Sequence, residues 1–511
     1  MIEQFINVVT NPMALFTAFW AMTLGIIMGA LPGLTGPMAM ALLLSVAYAM
    51  SPENSVVAMM LIYVGGVYGG SMSAILLNVP GAPASAATAL DGHPLARQGY
   101  AGRAIATVTI SSFFGTLISV AMMAFLTPWL VEFSLRFTAW ELLILVLFGI
   151  FMAGSLSGND PLKGWISGFL GLLIAMIGLD DINMHPRYSF GVHYLEAGIG
   201  LIAMVVGIFG ISQVMVTMRP AESRMVHTVS KVKNIVPRWS DMKGRVRVIL
   251  QSGFIGTFVG MLPGLGADMG AWASYDIGRR TSKVAHNYGK GEIEGLIAAE
   301  TGNNAVVPGS LIPVIALGLP GSAGAAIIMA ALFLHGLKPG PTFMIDNAGL
   351  FEYMVAGLFI GAFLLLFVGL ILAHVIIYVL AVPRENIMAA VVALAAIGAY
   401  ASKLQYGDVW AMLAFGVLAY GMRRLGFPLA PMVLGLVLGK LLDEFLRNAT
   451  IIGGGSLMPI FERPIAVGLV VCVALFFIFS IPACSKLARA GTGKLLNLVF
   501  GNGKADANGD K

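Results

Sequence analysis

Charged side chains are scarce in this sequence. Only 11% of its 511 residues are Asp, Glu, Lys or Arg, whereas 58% are hydrophobic. A soluble globular domain has about 25% charged residues, because water must solvate its surface. The chain therefore lacks the polar residues that a water-facing surface of its size would need. This scarcity excludes a soluble protein and predicts a polytopic membrane protein in a lipid bilayer.

Cysteine and catalytic motifs are also nearly absent. Cys472 and Cys484 are the only cysteines, and their spacing fits no metal or redox motif. The sequence contains no G-x-x-x-x-G-K-[ST], H-E-x-x-H or G-x-S-x-G pattern. We therefore expect a protein that is not an enzyme and that holds no metal site and no organic cofactor.

Long hydrophobic runs fill most of the chain. At roughly 20 residues per span, they allow about 10–13 crossings in an all-α transmembrane helix bundle, some of them re-entrant. The segment 219–247 carries eight Lys or Arg and two acidic residues, and it separates a first half, 1–218, from a second, 248–485. A polar tail, 486–511, follows. Basic loops of this kind are cytoplasmic, so the net charge of +5 reflects topology and predicts no nucleic-acid partner.

Two sequence elements occur once in each half. "GALPGLTGP" at Gly29 is answered by "GMLPGLGAD" at Gly260, at an offset of 231 positions. "GGSMSAILLNVPGAPASAA" is answered by "PGSLIPVIALGLPGSAGAA", with Pro80 matching Pro320 at an offset of 240. Two elements in the same order at similar spacing indicate an internal duplication.

The loops after equivalent elements carry opposite charge. In the first half, "SPENS" after the LPG element has an acid and no base, while "DGHPLARQGYAGR" after the second Pro-Gly has Arg97 and Arg103. In the second half, "GRRTSKVAHNYGKG" has four bases, whereas "HGLKPGPTFMIDNAG" has one Lys and one Asp. Equivalent loops then lie on opposite faces of the membrane. The sequence therefore predicts two inverted repeats, which many secondary transporters use to build two access states.

Each repeat contains two Pro-Gly breaks within apolar sequence, at Pro32, Pro80, Pro263 and Pro320. Non-helical backbone survives at membrane depth only where protein buries it or where it lines a wet cavity. We expect each break to end one half-helix and to allow another to begin. The starting residues predicted for these half-helices are Thr35 with Pro37, Pro83, Asp268 and Ser322. Helix N-termini inside a membrane bind anions, carboxylates among them.

Uncharged polar residues cluster beside the breaks and offer donors and acceptors to an anion or to Na⁺. The predicted substrate-binding residues are Thr35, Gly36, Ser71, Asn78, Pro80, Gly81, Ser85, Asn303, Asn304, Ser310, Gly321 and Ser322. Asp268 and Glu300 are the nearest acids, and an intramembrane acid predicts a proton relay or a cation ligand. The alternative is that Asp268 caps a helix and Glu300 lies at the membrane interface.

Overlapping GxxxG patterns occur in "YVGGVYGGS", at Gly65/Gly69 and Gly66/Gly70. In apolar sequence such patterns are typical of close contact between helices. We favour packing over direct ligand contact for these glycines.

At these residues the sequence resembles the large membrane subunit of the bacterial tripartite tricarboxylate transporters. The stretches that carry the resemblance include "GALPGLTGP", "YGGSMSAILLNVPGAPASAATALDGHPLARQGYAGRA", "GMLPGLGADMGAWASY" and "GKGEIEGLIAAETGNNAVVPGSLIPVIALGLPGSAGAAIIMAALFLHGLKPGP". The resemblance extends from about residue 12 to about residue 480. It implies a secondary transporter of the inner membrane that works with a small four-helix membrane subunit and a periplasmic solute-binding protein. The implied substrates are carboxylates such as citrate, taken up with a coupling cation, Na⁺ or H⁺.

Two other functions remain as alternatives. A permease energised by a separate ATPase is compatible with a chain that lacks a nucleotide-binding loop of its own. An intramembrane enzyme is disfavoured, although "GLGAD" and Tyr275-Asp276 partly resemble aspartyl intramembrane proteases. The glycine motif has one residue too many before its Asp, and the two motifs are in reversed order.

The inverted topology predicts which loops are accessible from each side. In a variant lacking Cys472 and Cys484, a new cysteine at Asn54 or Asp346 should react with an impermeant thiol reagent added outside. Cysteines at Arg97 and Arg280 should react only after permeabilisation, because their loops are basic. Labelling of positions 54 and 280 from the same side would contradict the inversion.

Overall fold

The computed structural model describes residues 2–480, apart from residues 32, 157–159, 181–183, 219–234, 236–238, 263–265 and 381. Its architecture is an all-α polytopic transmembrane helix bundle, as the composition predicts. The predicted linker 219–247 falls largely outside the described residues, and the tail 486–511 falls wholly outside them. Pro32 and Pro263 also lie outside the described residues. The first break of each half is therefore described only by the residues on either side of these prolines.

The first half of the chain is built from helices joined mostly by short connections. They are α1 Ile2–Thr10, α2 Pro12–Ala30, α3 Gly36–Tyr48, α4 Pro52–Leu77, α5 Ser85–Leu95, α6 Ala101–Ser134, α7 Ala139–Leu156, α8 Pro161–Ala175, α9 His193–Glu196, α10 Leu201–Val206 and α11 Ser212–Thr217. Ala96–Tyr100 and Gly207–Ile211 are π-helical. A short antiparallel pair, β1 Gly178–Leu179 and β2 Pro186–Arg187, precedes α9.

The second half repeats this plan in outline. Its helices are α12 Trp239–Met242, α13 Val246–Met261, α14 Gly266–Thr281, α15 Ile293–Leu317, α16 Ala323–Leu334, α17 Phe343–Asp346, α18 Ala348–Leu380, α19 Arg384–Lys403, α20 Tyr406–Arg424, α21 Ala430–Ile452 and α22 Pro464–Ser480. Short 3₁₀ turns are formed by Ala285–Asn287 and Met458–Glu462.

Among the described residues, 5 helical segments are long and apolar enough to cross a membrane. They are Pro12–Ala30, Pro52–Leu77, Ser85–Ser134, Ala348–Leu380 and Glu385–Lys403. Ser85–Ser134 is not one straight helix, because Gly99 adopts φ 90° and divides α5 from α6. Shorter apolar helices, such as α3, α13 and α16, adjoin the breaks. The predicted number of crossings therefore stays a prediction, but the broken helices are present.

The helices end where the Pro-Gly breaks predict. In the first half, α2 ends at Ala30, just before the LPG element, and α4 ends at Leu77. In the second half, α13 ends at Met261 and α15 at Leu317. Each break separates a helix from a new helix that begins within eight residues of it.

The residues that end α4 and α15 share one unusual backbone conformation. Asn78 follows α4 with φ 53° and ψ 30°, and Gly318 follows α15 with φ 70° and ψ 23°. Both are left-handed, a conformation favoured by Gly and tolerated by Asn. The two residues occupy equivalent positions at the offset of 240, so both halves turn out of the helix in the same way.

Glycine contacts join the helix before the LPG element of each half, α2 or α13, to the helix before the second Pro-Gly, α4 or α15. A Cβ added at these glycines would collide with a backbone carbonyl oxygen of the partner helix, so the helices approach backbone to backbone. The contacts are Gly25–Ile62 and Gly29–Gly66 between α2 and α4, and Gly256–Gly302 and Gly260–Val306 between α13 and α15. The contact residues of α13 follow those of α2 by 231 positions, and the contact residues of α15 follow those of α4 by 240 positions. These are the offsets of the repeated sequence elements. The GxxxG prediction is also confirmed, since Gly65 and Gly69 contact the backbone of α2.

Helices of the two halves pack against one another in matched pairs. Helix α6 lies against α15, and α18 lies against α4. Helix α13 lies against α6, and α2 against α18. At the periphery, α21 packs on α7 and α8, while α10 packs on α19 and α20. Each half thus completes the packing of the other, and α4 and α15 are buried along most of their length.

The close approach of α13 and α15 predicts a large effect of one added methyl group. A Cβ at Gly260 would lie 2.6 Å from the carbonyl oxygen of Val306. Gly260→Ala should therefore lower the stability by about 1–3 kcal/mol through overpacking, seen as a lower unfolding temperature of the detergent-purified protein. Gly421→Ala is the control, because a Cβ on Gly421 of α20 would meet no atom within 4 Å. Equal unfolding temperatures for both variants would contradict the contact.

Candidate binding site at the helix breaks

The four half-helices that begin at the breaks converge on one cavity of about 430 Å³. The breaks contribute Thr35, Gly36, Pro37, Ala82, Pro83, Ala84, Asp268, Met269, Ser322, Ala323 and Gly324. The remaining wall is formed by Tyr63, Val67, Phe209, Asn303, Arg423, Phe427, Pro428, Leu429, Ala430 and Leu434. Segments far apart in sequence thus meet at one place, as the duplicated Pro-Gly pattern predicts.

The half-helices α3 and α16 begin at the cavity and run side by side. Thr35 caps α3 by accepting the N–H of Met38 at 3.4 Å. Ser322 caps α16 by accepting the N–H of Ala325 at 3.1 Å. The far ends of the two helices also meet, where the ring of Tyr48 lies 5.9 Å from that of His335. The predicted N-caps Thr35 and Ser322 are therefore confirmed.

Tyr63 of α4 joins these two helix starts. Its hydroxyl lies 3.1 Å from the hydroxyl of Ser322. Its ring lies over Gly36, where an added Cβ would be 3.3 Å from the ring, and over Gly324, where an added Cβ would overlap the ring. Because only glycine leaves room for the ring, these positions allow one aromatic side chain to contact both helix starts.

The half-helices α5 and α14 form the second pair. Asp268 accepts the backbone N–H of Ala84, the residue that precedes α5, at 3.3 Å. Farther along, Tyr275 of α14 donates to Asp91 of α5 at 2.9 Å. Asp91 also accepts three backbone N–H groups of the loop that follows α14, from Gly289, Gly291 and Glu292. The two helices are therefore linked at both ends.

Two predicted starting residues need correction. Helix α14 begins at Gly266, so Asp268 lies within its first turn and caps α5 of the other half instead. Helix α5 begins at Ser85, and Ala84, not Pro83, is its N-cap residue. The hydrogen bond between Asp268 and Ala84 joins the two halves, and a sequence pattern within one half cannot reveal it.

Glu300 lies in the interior next to the cavity and does not line it. Its carboxylate accepts hydrogen bonds from Ser71 at 2.7 Å, Thr88 at 2.9 Å and Ser112 at 2.8 Å. The side chain is 0% exposed, so Glu300 lies inside the protein. Within the described part of the chain, no Lys, Arg or His forms an ion pair with it.

Asn303 connects the cavity to Glu300. Its amide nitrogen donates to the hydroxyl of Ser71 at 3.4 Å, and Ser71 donates to Glu300. Its amide oxygen is buried and has no hydrogen-bond partner in the part of the chain that the structure describes. Since Asn303 itself lines the cavity, its amide nitrogen and the Ser71 hydroxyl form a short polar path from the cavity to the buried carboxylate. Asn303 occupies the position equivalent to Tyr63, at the offset of 240.

Of the residues predicted from the sequence, Thr35, Gly36, Asp268, Asn303 and Ser322 line the cavity. The other predicted residues lie around it, in three kinds of place. Ser71 donates to the buried acid and lies 3.5 Å from the hydroxyl of Ser85, and Asn304 and Ser310 bond within the core, to Thr116 and to the carbonyl of Val307. Gly81 and Gly321 lie against the carbonyls of Gly29 and Gly260, while Asn78 and Pro80 are exposed. Their assignment to the substrate stays a prediction.

The residues missed from the sequence are Tyr63, Phe209, Phe427 and Arg423. The first three are apolar or aromatic residues in apolar sequence, and nothing distinguishes them from core residues. Arg423 could have been found only as a basic residue within the last turn of a helix, which is an ordinary topological signal.

The fold and the cavity define a multi-pass membrane protein with a central site formed by broken helices. Residues 15–434 match the family model described as the tripartite tricarboxylate transporter TctA family. The chain therefore belongs to this family, which comprises membrane components of tricarboxylate transporters, and the resemblance seen in the sequence is confirmed.

Two similar proteins come from Agrobacterium vitis. One is described as an uncharacterized 52.8 kDa protein in the TAR-I ttuC' 3'region, and it is 34% identical over 475 residues, covering 92% of this chain and 94% of that protein. The other is an uncharacterized protein in the TAR-II ttuC' 3'region, 37% identical over 230 residues, covering 44% of this chain and 95% of that protein. No solved structure matches this chain.

In contrast to the assignment made from the sequence, the geometry of Asn78 predicts that its side chain ends a helix and does not bind substrate. Asn78→Gly should keep uptake and its KM unchanged, because glycine adopts the left-handed conformation without strain and Gly318 already does so. Asn78→Ala should lower stability by about 1–2 kcal/mol. Uptake by reconstituted vesicles and the unfolding temperature measure the two effects. Loss of uptake by a normally inserted Asn78→Gly variant would assign the amide to the substrate.

Proposed function

We propose that this chain is a secondary active transporter that takes up a tricarboxylate-type anion, driven by a gradient of Na⁺ or H⁺. It acts in the inner membrane of a bacterium, beside a small four-helix membrane subunit, and receives substrate from a periplasmic binding protein. Membership of the family supports the transport function and the partners in general. The observation that carries the proposal is the convergence of four half-helix starts on one cavity.

Helix starts make the cavity suitable for an anion. The first N–H groups of a helix lack partners within it, and the helix dipole places partial positive charge there. Thr35 and Ser322 satisfy one N–H group each, which leaves other N–H groups of α3 and α16 near the cavity. A carboxylate bound to these N–H groups would exchange its bound water for them. The starts of these two helices would place no negatively charged side chain against it.

Asp268 supports coupling to a cation. Its carboxylate is part of the cavity wall, and only one hydrogen bond, from Ala84, is made to it among the described residues. An anionic substrate beside an ionised Asp268 would be repelled at close range in a medium of low dielectric constant. A Na⁺ or H⁺ bound to Asp268 removes this repulsion, so the cation and the substrate favour each other's binding.

Glu300 is the second position for the coupling ion. Three hydroxyl groups surround its carboxylate, and the path through Ser71 and Asn303 leads to the cavity. Because hydroxyl groups donate and accept hydrogen bonds, they suit a carboxylate that changes its protonation state. Asp268 is the first candidate for the site of the coupling ion, because it lines the cavity directly, and Glu300 is the second.

Inverted repeats would allow the site to open to either side of the membrane. The equivalent glycine contacts and the matched pairs of helices support such a duplication. Helices α3 and α5 also run in opposite directions from the cavity. Gly36 lies beside Tyr63, near the middle of α4, and α3 runs from there toward the start of α4. Helix α5 runs toward the end of α4, because Ser85 contacts Ser71 and His93 contacts Ile75 farther along α4.

Energy coupling can be measured in vesicles that contain both membrane subunits and the binding protein. Labelled citrate should accumulate under an inward Na⁺ or proton gradient in the absence of ATP. Accumulation that requires ATP and a separate ATPase would overturn the proposal in favour of an ATP-driven permease.

Asp268→Asn should lower gradient-driven accumulation at least about tenfold, equivalent to 1.4 kcal/mol. The amide oxygen can still cap α5, so exchange of substrate across the membrane should persist. Asp276→Asn is the matched control, because Asp276 lies on the same helix and its exposed side chain pairs with Arg280. Accumulation by Asp268→Asn with unchanged ion dependence would move the coupling role to Glu300, which Glu300→Gln then tests.

A further inference from the structure

Arg423 forms part of the cavity wall and stands apart from the other half-buried arginines. It lies within the last turn of α20, next to the segment of Phe427, Pro428 and Leu429 that closes this side of the cavity. The other half-buried arginines of the described chain each pair with a carboxylate: Arg103 with Asp241, Arg187 with Asp443, Arg245 with Glu292, Arg447 with Asp180 and Arg463 with Glu141. No such carboxylate partner of Arg423 occurs among the described residues.

The polar partner of Arg423 among the described residues is neutral. The guanidinium of Arg423 donates to the amide oxygen of Gln213 on α11. The amide nitrogen of Gln213 in turn donates to Thr217 and lies 3.3 Å from the place where a Cβ on Gly33 would be. Gly33 belongs to the LPG element of the first break. Gln213 therefore holds Arg423 beside this break without neutralising its charge.

An arginine in this position can pair its positive charge with the negative charge of an anionic ligand. Guanidinium remains protonated in proteins and offers a planar set of N–H donors that matches a carboxylate, and Gln213 accepts from only one of its nitrogens. A partly buried charge without a counter-ion is unfavourable, and an anion bound in the cavity would compensate it. Asp268, the acid in the same wall, caps α5 and does not pair with Arg423.

We propose that Arg423 binds one carboxylate of the substrate while the half-helix starts bind another, so that the site selects acids with two or more carboxylates. This inference rests on the proposed transport of a carboxylate and adds a residue and a selectivity to it. The cavity of about 430 Å³ falls within the size range of small-molecule sites and accommodates a small polycarboxylate. A monocarboxylate would use only one of the two positions.

The test compares acids of different charge in the same reconstituted vesicles. For Arg423→Gln, the KM for citrate and for succinate should rise about tenfold or more, whereas the KM for a monocarboxylate of similar size should change little. Arg423→Lys should recover part of the loss, because it keeps the charge but not the planar donors. Arg424→Gln is the matched control, since Arg424 is the next residue of α20 and is exposed.

The outcomes separate this inference from the proposed function. An unchanged KM for citrate in Arg423→Gln, or an equal rise for every acid tested, would overturn the role of Arg423 while leaving carboxylate transport in place. A wild-type protein that moves no carboxylate would overturn the proposed function itself. If Arg423→Gln does not insert into the membrane, the thermal stabilisation of Arg423→Lys by citrate is measured instead. Stabilisation at the same citrate concentration as for the wild type overturns the inference, and a need for a tenfold higher citrate concentration supports it.

Discussion

The structure depends on the requirement that backbone polar groups inside a bilayer have partners. Each break removes helical hydrogen bonds, and backbone groups left unpaired away from water cost several kcal/mol. The glycine contacts meet this requirement by bringing the breaks against the central helices. Gly81 lies against the carbonyl of Gly29, and its N–H donates to Gly70, while Gly321 lies against the carbonyl of Gly260. A side chain at these positions would separate the break from the protein that covers it.

The same contacts explain why the site contains parts of both halves. Once α2 and α13 are held against α4 and α15, the half-helices that follow the breaks can begin only beside these central helices. Tyr63 on α4 and Asn303 on α15 occupy equivalent positions, and both face the cavity. Tyr63 joins the pair α3 and α16, while Asn303 leads toward Glu300. Equivalent positions of α4 and α15 thus carry residues that make the two sides of the site chemically different.

Much of the fold could be predicted from local sequence, and the site only in part. The helix ends at the breaks follow from Pro-Gly, and the caps at Thr35 and Ser322 follow from residue type, because both depend on neighbours in the chain. The role of Asp268 depends on Ala84, which lies in the other half, and no local pattern contains that information. Tyr63 and Asn303 are equivalent in the alignment of the two halves, but they differ in residue type, so the alignment does not indicate that both line the cavity.

The charges of the site connect substrate binding to ion binding. A neutral cavity formed by helix starts would attract one carboxylate weakly and would give no reason for a coupled cation. Asp268 and Arg423 carry opposite charges in the wall of the cavity, so the empty site carries little net charge when both are ionised. A substrate with several carboxylates adds negative charge in a medium of low dielectric constant, and Arg423 compensates only one of them. In the proposed mechanism, cations bound at Asp268 and Glu300 would balance the remainder, and ion coupling would then follow from the transport of a polycarboxylate through this site.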